Sequence, residues 1–554
     1  MFLQRLLACL SVAAFSACAV PEPMEAPGTE LDALVDEYIE LVGQRNSSWD
    51  LSRLRSEGAP DLSAERFAAD LLPRRDLLAR IEATDVERLA RAERTDRTAM
   101  IGFLRADIYG AERRRGTQLE PLLYVPARQI AALFPDTAEG EIDQERVAVL
   151  LAAVPGALDQ GMANLGRPPL RSTREAIFQT RSTIEVLRAN RVQLFGETGR
   201  ASDVASAALV SYVEFLETDV LPRSDGAWAI GKEHYDYILR NRWLMDEDAD
   251  DIIAMGKAAF EQTVLEAQEV AERIAPGKDW IEVYEELKTH HPSAAGLKQA
   301  YQEQMEAAQA FVYANKVLTL PAGESVITVD TPLAQRRSSP FGTFDGVGPE
   351  DDDLQGRLVL TPIEEGLTPE QHEARLSAHH TAWIPIIAVH EAYPGHHAQA
   401  LRVYENPRRL RHYVRESIFS EGWGLFTEQL MFELGFLHGD DVKLTQLRNR
   451  LWRASRVILE ASLHTGQMTF DEAVAFLVEE VRFDRVAAEL EVGMYTGRPT
   501  YFLGYLIGSM KIEEMRAEWI AKYGEPAEPR DFYDKLLIIG SLPPALVRAE
   551  LLAE

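Results

Sequence analysis

Cysteine is nearly absent from these 554 residues: the only two are Cys9 and Cys18. Once a leader ending there is removed, no disulfide can form and no thiolate is left to serve as nucleophile or metal ligand. A basic surplus is lacking too. Lys and Arg number 58 against 88 Asp and Glu, a formal net charge of -30. That argues against nucleic acid as a partner, because binding phosphate needs a basic face. No low-complexity tract or fixed-period repeat interrupts the chain, and no segment after the leader has a continuous apolar run long enough to span a bilayer. With 46% hydrophobic residues, the chain can still bury a large core, as one body or several.

The leader itself has an export pattern. "MFLQR" supplies a positive charge at Arg5, "LLACLSVAAF" a short apolar run, and "SAC" small residues ahead of Cys18. Residues 1–18 resemble a bacterial lipoprotein signal, in which Cys18 is lipidated and becomes the first mature residue. Phe15 stands where that pattern prefers Leu, and an ordinary cleaved signal is the alternative. Residues 19–30, "AVPEPMEAPGTE", read as a flexible tether. This predicts an exported protein at a cell-envelope membrane surface or in the periplasm, touching the membrane only through its lipid.

Most of the remainder reads as helix. "LDALVDEYIELVGQ", "DVERLARAERTDRTAMIGFLRADIYGAERRR", "ADDIIAMGKAAFEQTVLEAQEVAERIA" and "PSAAGLKQAYQEQMEAAQAFVYANKVL" place apolar residues three and four apart among charges. Around residue 320 the texture changes, and "SVITV" and "RLVLT" read as two short strands. Helix then resumes at "TPEQHEARLSAHHTAWIPIIAVHE". The expected fold is mainly α, with a helical region over 31–320 and a second region over 321–554 that opens on the small β element. The two regions could also form one body around a cleft.

The stretch "AVHEAYPGHHAQA", residues 388–400, carries the chemistry. His390-Glu391 opens like a zinc-protease helix, but the position four residues after His390 is Pro394. On a regular helix His396 would lie about 600° around and about 9 Å along from His390, and His397 about 10.5 Å along. Ligands about 2.0–2.1 Å from one zinc cannot be that far apart. Pro394 removes a helical donor and Gly395 permits unusual backbone angles, so a kink or bulge is expected here. Absorbing two residues would return His396 to the face of His390; His397 would need three absorbed. The reading favours His396, with His397 as rival ligand or hydrogen-bond partner. A bare helix end with surface histidines is the bland alternative. Glu421, in "SIFSEGWGLFTEQL", lies 25 residues after His396 beside Ser420, Gly422 and Gly424, small residues that admit another backbone. One zinc-peptidase class takes its third ligand at such a place.

"HEAYPGHHAQ" followed by "EGWGLFTEQL" resembles a large bacterial family, often lipoproteins, catalogued as a domain of unknown function with the signature HExxPGHH. That family is similar to gluzincin metallopeptidases. "LLAAVPGALDQGMANLGRPP", "ASRVILEASLHTGQMTFDEAVAFL" and "EVGMYTGRPTYFLGYLIGSMKI" extend the resemblance over most of the chain. Three places depart from it: Thr500 follows Pro499 where the family usually has Gln, "GRLVLTP" lacks an expected Asn, and "GQRNSSWD" is atypical.

The resemblance implies one zinc ion held by His390, His396 and Glu421, with Glu391 as general base. It also implies that Tyr505, or Tyr501 in its place, stabilises an oxyanion, and that Arg456 and His464 stand near the site or belong to a structural polar cluster. The implied activity is hydrolysis of oligopeptides at the envelope. An envelope protein that binds peptide or metal without turnover, or a hydrolase of a non-peptide amide, would carry the same residues.

Overall fold

The computed structural model describes residues 30–43, 49–113, 115–134, 142–332, 336, 341–364 and 366–553. The leader, Cys18 and residues 19–29 of the expected tether lie outside them, and Glu30 begins the helix Glu30–Gly43.

The fold is mainly α, and several of its helices begin where short polar side chains cap them. Gln144–Asn164 (α1) starts behind Asp143, whose side chain accepts from the N–H of Arg146. It packs along Gly196–Phe215 (α2), and the two bury Leu150, Leu151, Val154, Leu209 and Tyr212 in one core. α1 is long and apolar enough to cross a membrane by composition, yet this apolar face is spent on α2. Ala249–Ile274 (α3) carries a reciprocal cap between Asp248 and Asp251, worth about 1 kcal/mol. Leu297–Ala314 (α4) leads into the sheet.

The sheet has three strands in the order β1-β3-β2: Ser325–Asp330 (β1), Gly342–Asp345 (β2) and Gln355–Leu360 (β3). β1 pairs parallel to β3 from Ser325↔Gln355 to Asp330↔Leu360, and β2 pairs antiparallel from Gly342↔Leu360 to Asp345↔Arg357. The sequence reading expected β1 and β3. It had no signal for β2, because "GTFD" holds one β-branched residue and a glycine at its head.

The long helix expected over "TPEQHEARLSAHHTAWIPIIAVHE" is two. Pro369–Ser377 is helical behind the Thr368–Gln371 cap, residues 378–383 turn, and Ile384–Ile387 resumes. The break comes where His379 and His380 are drawn inward onto tyrosines: His379 Nδ1 meets the Tyr301 hydroxyl at 2.9 Å and His380 Nε2 the Tyr284 hydroxyl at 3.5 Å.

Past the histidine motif come His396–Val403 (α5), Ser417–Glu433 (α6), Asp440–His464 (α7), Arg485–Gly497 (α8) and Gly504–Tyr523 (α9). α7 is buried along most of its length and packs on α3, where Gly256 faces Val457 and Ile458. α6 and α9 approach to backbone contact: a Cβ on Gly508 would fall 1.7 Å from the carbonyl oxygen of Ile418. One core takes Leu31, Phe103, Tyr301, Val389, Trp423 and Trp519 together, so it draws on both sides of position 320. A cavity of about 1330 Å³ opens among the sheet, the 374–391 segment, α7 and the start of α8.

Candidate metal centre

The backbone solves the spacing of the histidines with a π-turn. Ala388–Ala392 is π-helical, and the N–H of Tyr393 reaches back five residues to the carbonyl of Ala388 at 3.2 Å. The Tyr393-Pro394 bond is cis. The chain then folds onto itself so tightly that a Cβ on Gly395 would fall 1.9 Å from the His390 carbonyl oxygen. Only glycine fits there. Trp423 of α6 donates its indole N–H to the Pro394 carbonyl at 2.9 Å, and α5 starts at His396.

This turn brings the rings of His390 and His396 to a centroid distance of 4.9 Å, edge to face. Ligand atoms of His390, His396 and Glu421 all lie within 4.8 Å of one another. His396 Nε2 stands 3.3 Å from Glu421 Oε2, and two tetrahedral ligands about 2.0–2.1 Å from one zinc are separated by roughly that distance. The donor set therefore fits a divalent cation.

Behind the cluster lie partners that orient it. His390 Nδ1 hydrogen-bonds Glu428 Oε1 at 2.9 Å, which leaves its Nε2 for the centre. Gly424 makes room for that ring, since a Cβ there would come 2.8 Å from His390 Nε2. Tyr501 donates to Glu421 Oε1 at 2.7 Å. Burial pushes the Glu421 carboxyl up, but the hydrogen bond and charge of His396, the charge of His390 and the Tyr501 hydroxyl outweigh it and hold the group well below the usual carboxylate range. Burial likewise pulls the His390 imidazole down, and the bond to Glu428 with the charges of Glu391 and Glu428 raises it.

Glu391 lines the large cavity. The ring of Tyr505 stacks near His390 at 6.5 Å, and burial, then the charge of Glu421, pushes its hydroxyl well above the ordinary tyrosine value. His397 turns away from the cluster: its Nε2 meets Glu324 Oε2 at 3.0 Å. Arg456 lies over the Tyr505 ring at 4.7 Å and pairs with Glu491 at 2.8 Å. His464 contacts the Tyr495 carbonyl and the rings of Trp228 and Tyr235, and shares no partner with the cluster. Thr500, at the departure from the family pattern, has φ 67° and accepts from the Trp243 indole at 3.1 Å.

Several site residues escaped the sequence reading. Glu428 had a signal: it stands seven residues after Glu421, two turns along the same helical face. Glu324 had none. It is buried on the approach to β1 and accepts from His397, Tyr393, Gln309 and Tyr313. Burial raises its carboxyl, and these four donors bring it below the usual value. His379 and His380 border the cavity, where burial, then nearby cations, pushes them down to about 4 and about 3. Both are neutral at physiological pH.

Two solved structures share the fold. A Shewanella oneidensis protein described as a candidate lipoprotein of unknown function aligns with TM-score 0.80 at 19% identity, over 95% of this chain and all of its own. A candidate lipoprotein from Colwellia psychrerythraea aligns with TM-score 0.74 at 17% identity, over 94% of this chain and 98% of its own. No curated protein matches the chain. The family model described as "Bacterial protein of unknown function (DUF885)" matches residues 48–551, and the chain, matched over nearly its whole length, belongs to that bacterial family.

Proposed function

We propose that this protein is a zinc-dependent peptidase that hydrolyses oligopeptides at the bacterial cell envelope, tethered through a lipid on Cys18. The observation that carries the reading is the convergence of His390, His396 and Glu421 at ligand distance, beside a cavity that Glu391 lines. The lipid tether is supported by "SAC" at residues 16–18 and by the description of both structural neighbours as candidate lipoproteins.

His390, His396 and Glu421 would hold the ion, with Glu428 fixing the His390 tautomer. A bound zinc supplies Lewis acidity to a carbonyl and lowers the pKa of water. The protein's own groups do the rest. Glu391 takes the proton of the attacking water and returns it to the leaving amine. Tyr505, whose buried hydroxyl resists ionisation, donates a hydrogen bond to the oxygen on which negative charge develops. Tyr501 is engaged by Glu421 and orients that carboxylate. The apolar walls, including Trp383, Ile387, Leu358 and Leu360, limit water around the peptide.

Elemental analysis of purified protein should find one zinc per chain, and a mixed-peptide digest read by mass spectrometry should show cleavage. Glu391→Gln should keep the zinc and lose at least about a hundredfold in rate. Glu421→Ala should lose most of the metal. Zinc with no cleavage of any peptide would favour a binding protein, and absence of both would sink the proposal.

A further inference from the structure

α7 carries three arginines close together. Arg448, Arg453 and Arg456 are spaced five and three residues apart, which confines them to about 140° of its circumference. Arg456 is matched by Glu491. The other two form no ion pair among the described residues. Arg453 is buried, its Nε and Nη1 lack hydrogen-bond partners among the described residues, and its guanidinium lies over Trp452 and Tyr505. Arg448 lines the cavity that Glu391 also lines. Its Nε is buried without a partner among the described residues. Its guanidinium sits 4.8, 5.5 and 5.7 Å from the ring centres of Phe483, Tyr284 and Trp452. Three rings orient a planar cation without neutralising it.

Other charged groups share this wall. Lys288 pairs with Glu285 at 2.8 Å. Asp484 accepts from the N–H of Ala487 as the cap of α8. Arg375 lies over Phe341, and Arg482 is exposed. Glu391 is assigned to proton transfer. Of the wall's carboxylates, Glu285 is paired, Glu391 is assigned to proton transfer and Asp484 is exposed at the head of α8, whereas Arg448 offers a carboxylate a caged guanidinium fork of matching geometry. The cavity, about 1330 Å³, exceeds the roughly 300–1,000 Å³ of ordinary small-molecule pockets and suits a short peptide.

We propose that Arg448, held in its aromatic cage, receives the C-terminal carboxylate of a short peptide, so that the site trims peptides from the carboxyl end. This rests on the peptidase reading above, with Arg448 as a specificity residue and Arg453 adding positive potential behind it.

The test uses one mixed tetrapeptide library in three forms: free acids, C-terminal amides and N-acetylated acids. The native protein should cleave both acid forms at similar kcat/KM and the amides at least about 100-fold more slowly, since a site built around a polar group rejects the analogue lacking it. Arg448→Met should bring acids and amides within about threefold of each other. Arg448→Lys, which keeps the charge and loses the fork, should fall between. Equal cleavage of acids and amides by the native protein overturns the proposal, as does a large loss on N-acetylation; this comparison needs no variant to fold. A separate measurement does not depend on turnover: calorimetry with N-acetylphenylalanine and its amide. Acid-selective binding that Arg448→Met removes would uphold the carboxylate site even if no peptide is cleaved. Equal binding of acid and amide would overturn it.

Discussion

One methyl group at Gly424 should cost the centre its metal. The Cβ of Gly424→Ala would stand 2.7 Å from His390 Cε1 and 2.8 Å from Nε2. Non-bonded heavy atoms settle at about 3.5–4.0 Å, so the ring must retreat by roughly 0.7 Å. Its retreat is resisted, because Nδ1 is tied to Glu428 at 2.9 Å. Metal–ligand distances tolerate about 0.2 Å, so the displacement exceeds the tolerance severalfold. Losing an orienting partner alone weakens metal binding by about 10–100-fold, and a displaced ligand should cost at least that, about 1.4–2.8 kcal/mol. Overpacking adds about 1–3 kcal/mol to the cost of folding. Competition against a chromogenic zinc chelator measures the first effect, and urea unfolding of metal-free protein the second. A Gly424→Ala protein with native zinc affinity and native stability would refute the reasoning, because the ring could not then lie against α6.

His396→Ala should abolish zinc binding, whereas His397→Ala should retain zinc with an altered rate, since His397 is bonded to Glu324; elemental analysis decides, and the reverse pattern would exchange their roles. Glu460 is fully buried, and burial raises its carboxyl to about 8 although the N–H groups of Phe502 and Leu503 bond to it. The folded chain therefore keeps a proton that the unfolded chain releases near 4.5. The stability this gives is full below that value and is lost as pH rises toward 8. Glu460→Gln should flatten the fall in Tm between about pH 5 and about pH 8; parallel falls in both proteins would refute the assignment. Cys18→Ala should move the protein from the membrane fraction to the soluble one, and unchanged fractionation would exclude the lipid tether.

The parts of the site legible in the sequence were local. Pro394 and Gly395 marked an irregular turn, and the count of absorbed residues favoured His396, the histidine that lies beside His390 and Glu421. Glu421 was legible because small residues flank it. Glu428 was within reach of the same helical period. Glu324 and His397 are 73 residues apart, and the packing of α4 on β1 and the π-turn, with β3 against His397, brings them together. The turn at 378–383 was hidden for a similar reason. Its histidines suit a helix locally, and partners far back in the chain, Tyr284 and Tyr301, draw them out of it. Of the rings around Arg448, Trp452 lies one turn along the same helix, but Tyr284 and Phe483 come from other stretches of chain.

Gly422 and Gly508 carry a consequence for how this sequence can drift. A Cβ on Gly422 would fall 2.6 Å from the Cα of Gly508, and one on Gly508 2.9 Å from the Cα of Gly422. Gly422 is small because Gly508 is near, and Gly508 because Ile418 and Gly422 of the facing helix are near. A first substitution at either must push α6 from α9 and so disturbs Glu421 and Tyr505 together. Once the helices have parted, a second substitution meets space already made, so the two changes should combine to less than their sum. In inheritance the pair behaves as a single character written at two distant places in the chain.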